Sequence, residues 1–417
     1  INIGAIGVGR ISRGHDLPNL WKHEKARILA VCDVDRKRLG EGKALVDGHY
    51  AKKTGKPYRA TKTYDDYREL IADKDIDAVV ISTPDHWHVL QAMHALRAGK
   101  DIYMQKPASL TISEGRILSD EVRRTGRILQ IGSQQRSMPQ FRKACELVRN
   151  GRIGALKEIY IGLPIDDPGE STREVEMPVP ANLDYDRWLG PTPQVYYTEK
   201  RVHPQQGYSR PGWLRCEQFV AGMITGWGSH HFDIMNWGMD TEGTGPVEVF
   251  ARAEFPAPGL LWDVHGPYNV ELKYENGVKV FVSDKYPNGV RFVGSAGWIF
   301  VTRGDYTATA NDPVSGTGTR PLEASDPRIL SSQIGPSETK LYVSEDQHGN
   351  FLDCVISREQ PISHIEAGHR ACSVCLVSHI AMKLGRKLYW DPVQERFRND
   401  DEANSFLTRP QRAPYVL

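Results

Sequence analysis

The sequence predicts an α/β chain of two domains, a doubly wound parallel sheet followed by a second α/β domain of short, turn-bounded strands. Three observations carry this. A glycine-rich turn, Gly7-Val8-Gly9-Arg10-Ile11-Ser12, joins an apolar run to a helix-compatible stretch. Apolar runs then alternate with amphipathic stretches over the first third, the pattern of parallel βαβ units. Later runs, from Val247 to Thr302, are short and bounded by Asn276-Gly277 and Asn288-Gly289, which are turn signals. At 417 residues the chain exceeds one ordinary core. We draw the domains as 1–135 and 136–417, with the C-terminal tail able to pack back on the first.

In chain order, Ile3–Ile6 reads as a buried strand, and the glycine turn leads into a helix to about Lys22. The turn fits G-x-G-x-x-G/A with serine third: the first glycine makes the turn, the second admits a pyrophosphate, and the third place needs a small residue. The helix start offers free amides to phosphate. Arg27–Cys32 is a second strand and ends in Asp33, about 20 residues past the motif, the place of the acid that binds the adenosine ribose. That acid repels a 2′-phosphate and favours NAD, although Arg36, Lys37 and Arg38 stand near enough to bind one. Tyr64–Ala72 reads as a helix and Ile76–Ile81 as a strand leading into Ser82-Thr83-Pro84-Asp85-His86-Trp87-His88 and a helix to about Gly99. Asp101–Met104 is the next strand. It ends in Gln105-Lys106-Pro107, where proline bars helix and puts Lys106 at a strand end, the ligand-binding edge of such sheets. Ile112–Thr125 is helical, and Arg127–Ile131 is a strand ending in Gly132-Ser133-Gln134-Gln135-Arg136. Phe141–Arg149 reads as a helix and Leu156–Leu163 as a strand.

Composition narrows the function. Net charge is +1, and no basic block points to nucleic acid. No apolar run reaches a membrane span. Six scattered cysteines make no disulfide framework. Cys372 and Cys375 form a CxxC inside an apolar helical run, which reads as a shared helix face. No metal centre is expected: His364, Glu366 and His369, with His348 upstream, lack one-face spacing and read as solvated or locally bonded. The chain starts at Ile1 inside a strand and without methionine, which fits a removed presequence. The polar stretch Pro164–Ala221 is long for a loop, and such loops are usually functional. It carries Arg201, His203, Tyr208, Arg210 and Trp213, types that suit sugars through ring stacking and hydroxyl bonding.

GVGRIS, STPDHWH, QKP, GSQQR and TGWGSHHFD, in that order over about residues 1–240, resemble the Gfo/Idh/MocA oxidoreductases. The resemblance implies a Rossmann domain followed by an α/β domain with a large, mainly antiparallel open sheet that serves as an oligomer interface, so a homo-oligomer, dimer or tetramer. It also implies NAD, held by Gly7, Gly9, Arg10, Ile11, Asp33, Ser82, Thr83, Pro84, His86, His88, Gln105, Lys106 and Gln134. The sugar side would use Arg136, Arg201, His203, Tyr208, Arg210 and Trp213. A narrower similarity to exported Bacteroidetes members implies the periplasm, with the cytoplasm as alternative. Two positions depart from the family pattern: the glutamate of E-K-P is Gln105, and an aspartate expected four residues before His230 is Gly226.

The chemistry expected is removal of hydride from a secondary alcohol, which needs a base for the hydroxyl proton beside the hydride acceptor. Lys106 and His230 are the candidates. A lysine next to a positive nicotinamide has a lowered pKa. His231, Asp233 and Gln105 are secondary candidates; His230 and Asp233, three apart, can share a helix face. Successive helix residues point about 100° apart, so one of His230 and His231 packs away. The leading expectation is an NAD-dependent sugar oxidoreductase. The alternatives are a redox-assisted glycoside-cleaving enzyme or lyase that recycles NAD, and a cofactor-binding sensor without turnover.

Overall fold

The computed structural model describes residues 1–305 and 319–417. Its first layer is a six-stranded parallel sheet of β1 (Asn2–Ile6), β2 (Arg27–Cys32), β3 (Lys62–Tyr64), β4 (Ala78–Ile81), β5 (Asp101–Met104) and β6 (Leu129–Ile131), in the order β3-β2-β1-β4-β5-β6. The order reverses between β1 and β4, which opens a crevice at their carboxyl ends. The strands read as unbroken apolar runs because helices cover both faces. The helix expected over Tyr64–Ala72 is shorter: Tyr64 pairs with Cys32 in β3, and Asp66 caps a helix limited to Tyr67–Ala72 by accepting from the Arg68 amide. Ile112–Thr125 is helical as read, with Thr111 and Glu114 capping reciprocally and Gly126 closing the end at φ +62°.

The second sheet has nine strands, β7 (Leu156–Gly162), β8 (Glu248–Ala253), β9 (Tyr268–Lys273), β10 (Lys279–Ser283), β11 (Gly289–Gly294), β12 (Gly297–Val301), β13 (Leu322–Ala324), β14 (Leu388–Asp391) and β15 (Arg396–Phe397). Their order is β13-β12-β11-β7-β10-β9-β8-β14-β15, antiparallel except for β7 beside β10. Asn276-Gly277 turns the β9–β10 hairpin. Asn288-Gly289 makes no hairpin, because β7 lies between β10 and β11. Inner residues such as Ile159, Ile161, Val280 and Val282 are buried in one core with side chains of the helices Gly228–Met239 and Ile365–Leu384.

The chain crosses its own domain boundary twice. Phe351 and Leu352 of the helix Gln347–Ser357 pack with Ile3, Ala5, Leu17 and Leu20 on the first sheet. Beside it, the Ser363 carbonyl accepts from the Ile131 amide at 2.8 Å, extending the β6 edge. The tail also returns: Gln411 bonds Glu114, and Arg412 and Tyr415 bond Asp186. Pro164–Ala221 forms a compact excursion with its own core of Leu183, Trp188, Tyr197, Val202, Phe219 and Val220. Among the described residues no helix is long and apolar enough to cross a membrane, and all six cysteines are buried and free.

Candidate active site

The crevice begins at the glycine turn. Gly7 has φ +82°, and a Cβ there would meet the Ser82 carbonyl at 3.0 Å. A Cβ on Gly9 would touch nothing within 4 Å, so its backbone faces the crevice directly, as an approaching pyrophosphate requires. Arg10 and Ile11 line the same wall. Asp33 leaves β2 with both oxygens engaged, accepting from the Val8 and Asp35 amides at 3.0 Å each. Burial pushes this carboxyl up, and those amides oppose the shift.

The excursion closes over this end. Tyr208 lies between two guanidinium groups, Arg13 at 4.7 Å and Arg38 at 4.4 Å from its ring, and its hydroxyl bonds Glu41. Arg38 also donates to the carbonyls of Pro204 and Gly207, and Lys37 to that of Gln205. Two of the three basic residues near Asp33 are thus committed to the loop. His203 meets Asp35 at 3.0 Å; burial opposes but His203 and Asn182 together hold that carboxyl down to about 2. Arg210 and Trp213 line the crevice. Arg201 does not: it is buried and stacks on Tyr196.

The floor comes from the ends of β4 and β5. Ser82, Thr83, Pro84, Gln105, Lys106 and Gln134 line it. Two expected cofactor residues lie outside. His86 bonds the Trp188 carbonyl at 2.9 Å and packs on Phe219, and burial drops its pKa to about 3. His88 faces the carbonyls of Pro107 at 2.8 Å and Thr83 at 3.0 Å, and burial drops it to about 4. His88 therefore ties the turn after β4 to the one that carries Lys106. The Lys106 ammonium donates to the Gly226 carbonyl at 2.9 Å, so the position that departs from the family aspartate supplies a backbone oxygen instead.

His230 reaches the crevice from the second domain, at the start of Gly228–Met239. Burial, then Arg303 and Lys106, hold its pKa well below 6.5. The Gln135 amide, oriented to satisfy both neighbours, donates to the His230 carbonyl at 3.0 Å and accepts from Arg303 at 3.1 Å. His231 points away to Asn288 at 2.7 Å, and burial lowers it to about 4. Asp233 does not share the His230 face. Both its oxygens take the Arg136 guanidinium at 2.7 Å, and Arg136 also meets Glu242 at 2.8 Å. Each side chain of the Arg136–Asp233 pair is 2% exposed, so the pair is structural and Arg136 does not face the crevice.

Sequence reasoning missed Asp85, Arg303, Trp227 and Tyr415, all lining the crevice. Asp85 matters most. It is 7% exposed, and burial pushes its carboxyl up to about 7 while Lys106 pulls it down. Its signal was present: an acid inside the strand-end motif STPDHWH, between the expected contacts Pro84 and His86. Asp16 is the opposite case. Burial pushes it up, but hydrogen bonds from His15 and His348 outweigh this and hold it well below the usual carboxylate range. One carboxyl on the crevice wall and one beneath its floor are thus driven apart in pKa. Elsewhere, Glu366 is locked by Arg116, His369 bonds Glu395 and His364 caps its helix.

A switch-point crevice with an open glycine turn, an acid at the end of β2 and a lysine at the end of β5, facing a histidine from an open antiparallel sheet domain, defines a dinucleotide-dependent oxidoreductase. The chain belongs to the Gfo/Idh/MocA oxidoreductase family. Residues 1–133 match its NAD-binding Rossmann-fold domain, and residues 169–304 and 330–417 its C-terminal α/β domain. The chain is 26% identical over 315 residues to the uncharacterized oxidoreductase YrbE of Bacillus subtilis, covering 75% of this chain and 74% of that one. It is 31% identical over 190 residues to myo-inositol 2-dehydrogenase of Thermotoga maritima, covering 46% and 49%. The crystal structure of GenD2 from gentamicin A biosynthesis in complex with NAD has the same fold at a TM-score of 0.62 and 16% identity, over 94% of this chain and 96% of that one.

Proposed function

We propose that the protein oxidises a secondary hydroxyl of a sugar or sugar derivative with NAD. The observation that carries this is the convergence of Lys106 and His230, from separate domains, on the crevice that Asp33 and the glycine turn also line. The inositol dehydrogenases among the relatives support a polyol or sugar as the substrate class. Bound NAD supplies the hydride acceptor. His230, kept neutral, donates its ring N–H to the hydroxyl oxygen, and Lys106, in its unprotonated amine form beside the cationic nicotinamide, takes the hydroxyl proton as the carbonyl forms. Lys106 is aimed by its bond to Gly226 and by the His88 tie under Pro107. Arg210, Trp213, His203 and Tyr208 form the outer wall. Arg303 and Trp227, stacked at 4.7 Å, form the wall beside His230. The exported-subgroup resemblance supports the periplasm as its compartment.

A second reading, glycoside cleavage with NAD recycled in place, is favoured by Asp85 and by likeness, at 29% identity over 156 residues, to a relative named a glycosyl hydrolase family 109 protein. Elimination next to a transient ketone needs a further acid/base group, and a carboxyl raised to about 7 qualifies. The test is a panel of free sugars and glycosides assayed in parallel for NADH and for released aglycone. NADH formation supports the first reading. Aglycone without net NADH selects the second. Tight NAD binding with neither product leaves a sensor and overturns both.

A further inference from the structure

Beneath the crevice floor lies a buried anion that the proposed proton transfer does not use. Asp16 ends a π-helical segment, Ser12–Asp16, in which the Leu17 amide bonds back to the Ser12 carbonyl. Pro18 follows and has no N–H to donate, so a regular ladder cannot run through it. Single π-turns of this kind are rare and concentrate at functional sites. Here the turn buries two successive side chains, His15 and Asp16.

Asp16 has 0% exposure and accepts from four donors. Ser82 Oγ bonds Oδ2 at 2.7 Å. Gln105 Nε2 at 2.8 Å, His15 Nδ1 at 3.2 Å and His348 Nε2 at 3.2 Å all meet Oδ1. The ring of Tyr103 stacks on His348 at 4.4 Å and fixes its plane. The ligating atoms of His15, Asp16 and His348 lie within 4.8 Å of one another, as a metal set would. Hydrogen bonds already account for that geometry, since the Gln105 amide and both imidazoles converge on one oxygen. Ser82 and Gln105 are neutral donors, and burial pushes His348 toward its neutral form. His15 is the partner left to offset the carboxylate, and at 3.2 Å it balances that charge only in part.

Ser82 and Gln105 are also floor residues of the crevice, at the ends of β4 and β5. The glycine turn takes the pyrophosphate and Asp33 the adenosine ribose, so the nicotinamide half must run over the ends of β4 and β5. We infer that Asp16 sets the redox preference of the bound cofactor: its carboxylate, one side chain below the floor, favours the cationic oxidised ring over the neutral reduced one. The same placement explains Gln105. A glutamate there would put a second carboxylate about 2.8 Å from Asp16, and like charges so close cannot both ionise.

The inference needs NAD but not the substrate proposed above, so its test uses cofactor alone. Calorimetry gives the dissociation constants of NAD and NADH for wild type, Asp16→Asn, and the swap Asp16→Asn/Gln105→Glu, which keeps the hydrogen bond with its polarity reversed. For Asp16→Asn we expect the preference for NAD over NADH to fall roughly tenfold, the scale of one partly screened charge at this depth. The swap should restore the preference, because it returns a carboxylate to the same hydrogen bond. Equal losses of both affinities, or an unchanged ratio in a folded Asp16→Asn variant, would show Asp16 to be merely structural. Should Asp16→Asn not fold, the swap decides alone: a preference as strong as wild type supports the inference, and a weakened one overturns it. An absence of sugar turnover would sink the proposed substrate and leave this result standing.

Discussion

Lys106 and His230 share the crevice but differ in electrostatic setting. His230 is held neutral by burial and by the cations Arg303 and Lys106. We expect Lys106→Met to keep the fold and NAD affinity while turnover falls by about two to four orders of magnitude, the scale of a lost general acid or base. His230→Ala should cost a similar amount, and the double mutant should be less than additive if the two share the proton. Near wild-type turnover with an unchanged pH–rate profile in Lys106→Met would reduce Lys106 to a strand-end lysine. Cofactor choice follows from Asp33 and from the engagement of Arg38 and Lys37 by the excursion. Calorimetry should find NAD bound more tightly than NADP, and the gap should narrow in Asp33→Asn. Tighter NADP binding in the wild type would remove Asp33 from its assigned place.

Asp85 supplies a pH signature. Its folded pKa, about 7, lies above the unfolded value near 3.8 because burial disfavours the charge. The folded state therefore binds more protons between those values, and stability falls as pH rises through that window. Asp85→Asn should leave stability unchanged near pH 4 and raise it by about 2–4 kcal/mol above pH 8. Denaturant unfolding at the two pH values checks this. Equal effects at both would mean that Asp85 is ionised throughout.

Among the elements, the helix Gly228–Met239 is fixed less by its cap than by the ion pair at its second turn. Asp233 grips Arg136 through both oxygens, and Glu242 takes the same guanidinium. Removing one partner strands a buried charge, so Arg136→Met should cost about 3–5 kcal/mol, and Arg136→Met/Asp233→Leu distinctly less. Urea unfolding of both variants tests this; an equal or larger cost in the double variant would contradict it. Residue spacing alone put Asp233 beside His230 as a site residue. Three residues of helix do bring side chains to one side, but which of them meets the crevice and which meets Arg136 is set by neighbours about 100 residues away in the chain. The strand-end motif failed the same way at His86 and His88, which bond carbonyls behind the crevice wall.

For the whole molecule, the outer face of the nine-stranded sheet carries half-buried aromatic groups. Tyr160 stacks on Phe281 at 5.3 Å, and Arg291 lies over Trp298 at 3.9 Å. The alternation of this face with buried Ile159, Ile161, Val280 and Val282 is that of a half-covered sheet. We expect a dimer or tetramer through it. A monomeric mass by light scattering at micromolar concentration would count against this.

By itself the sequence determined the α/β class, most strands and helices, the glycine turn, Asp33, and Lys106 at a strand end. These rest on local chemistry: glycine where φ is positive, proline where a strand must stop, apolar runs where both sheet faces are covered. Only the tertiary structure decided the rest. It sent Gln347–Ser357 back onto the first sheet and brought His348, more than 300 residues away, to Asp16. It also made Asp85 a carboxyl titrating near neutrality and Asp16 a permanent anion. Burial and partners set the charge of a carboxyl, and neither is written in the spacing of the residues that carry it.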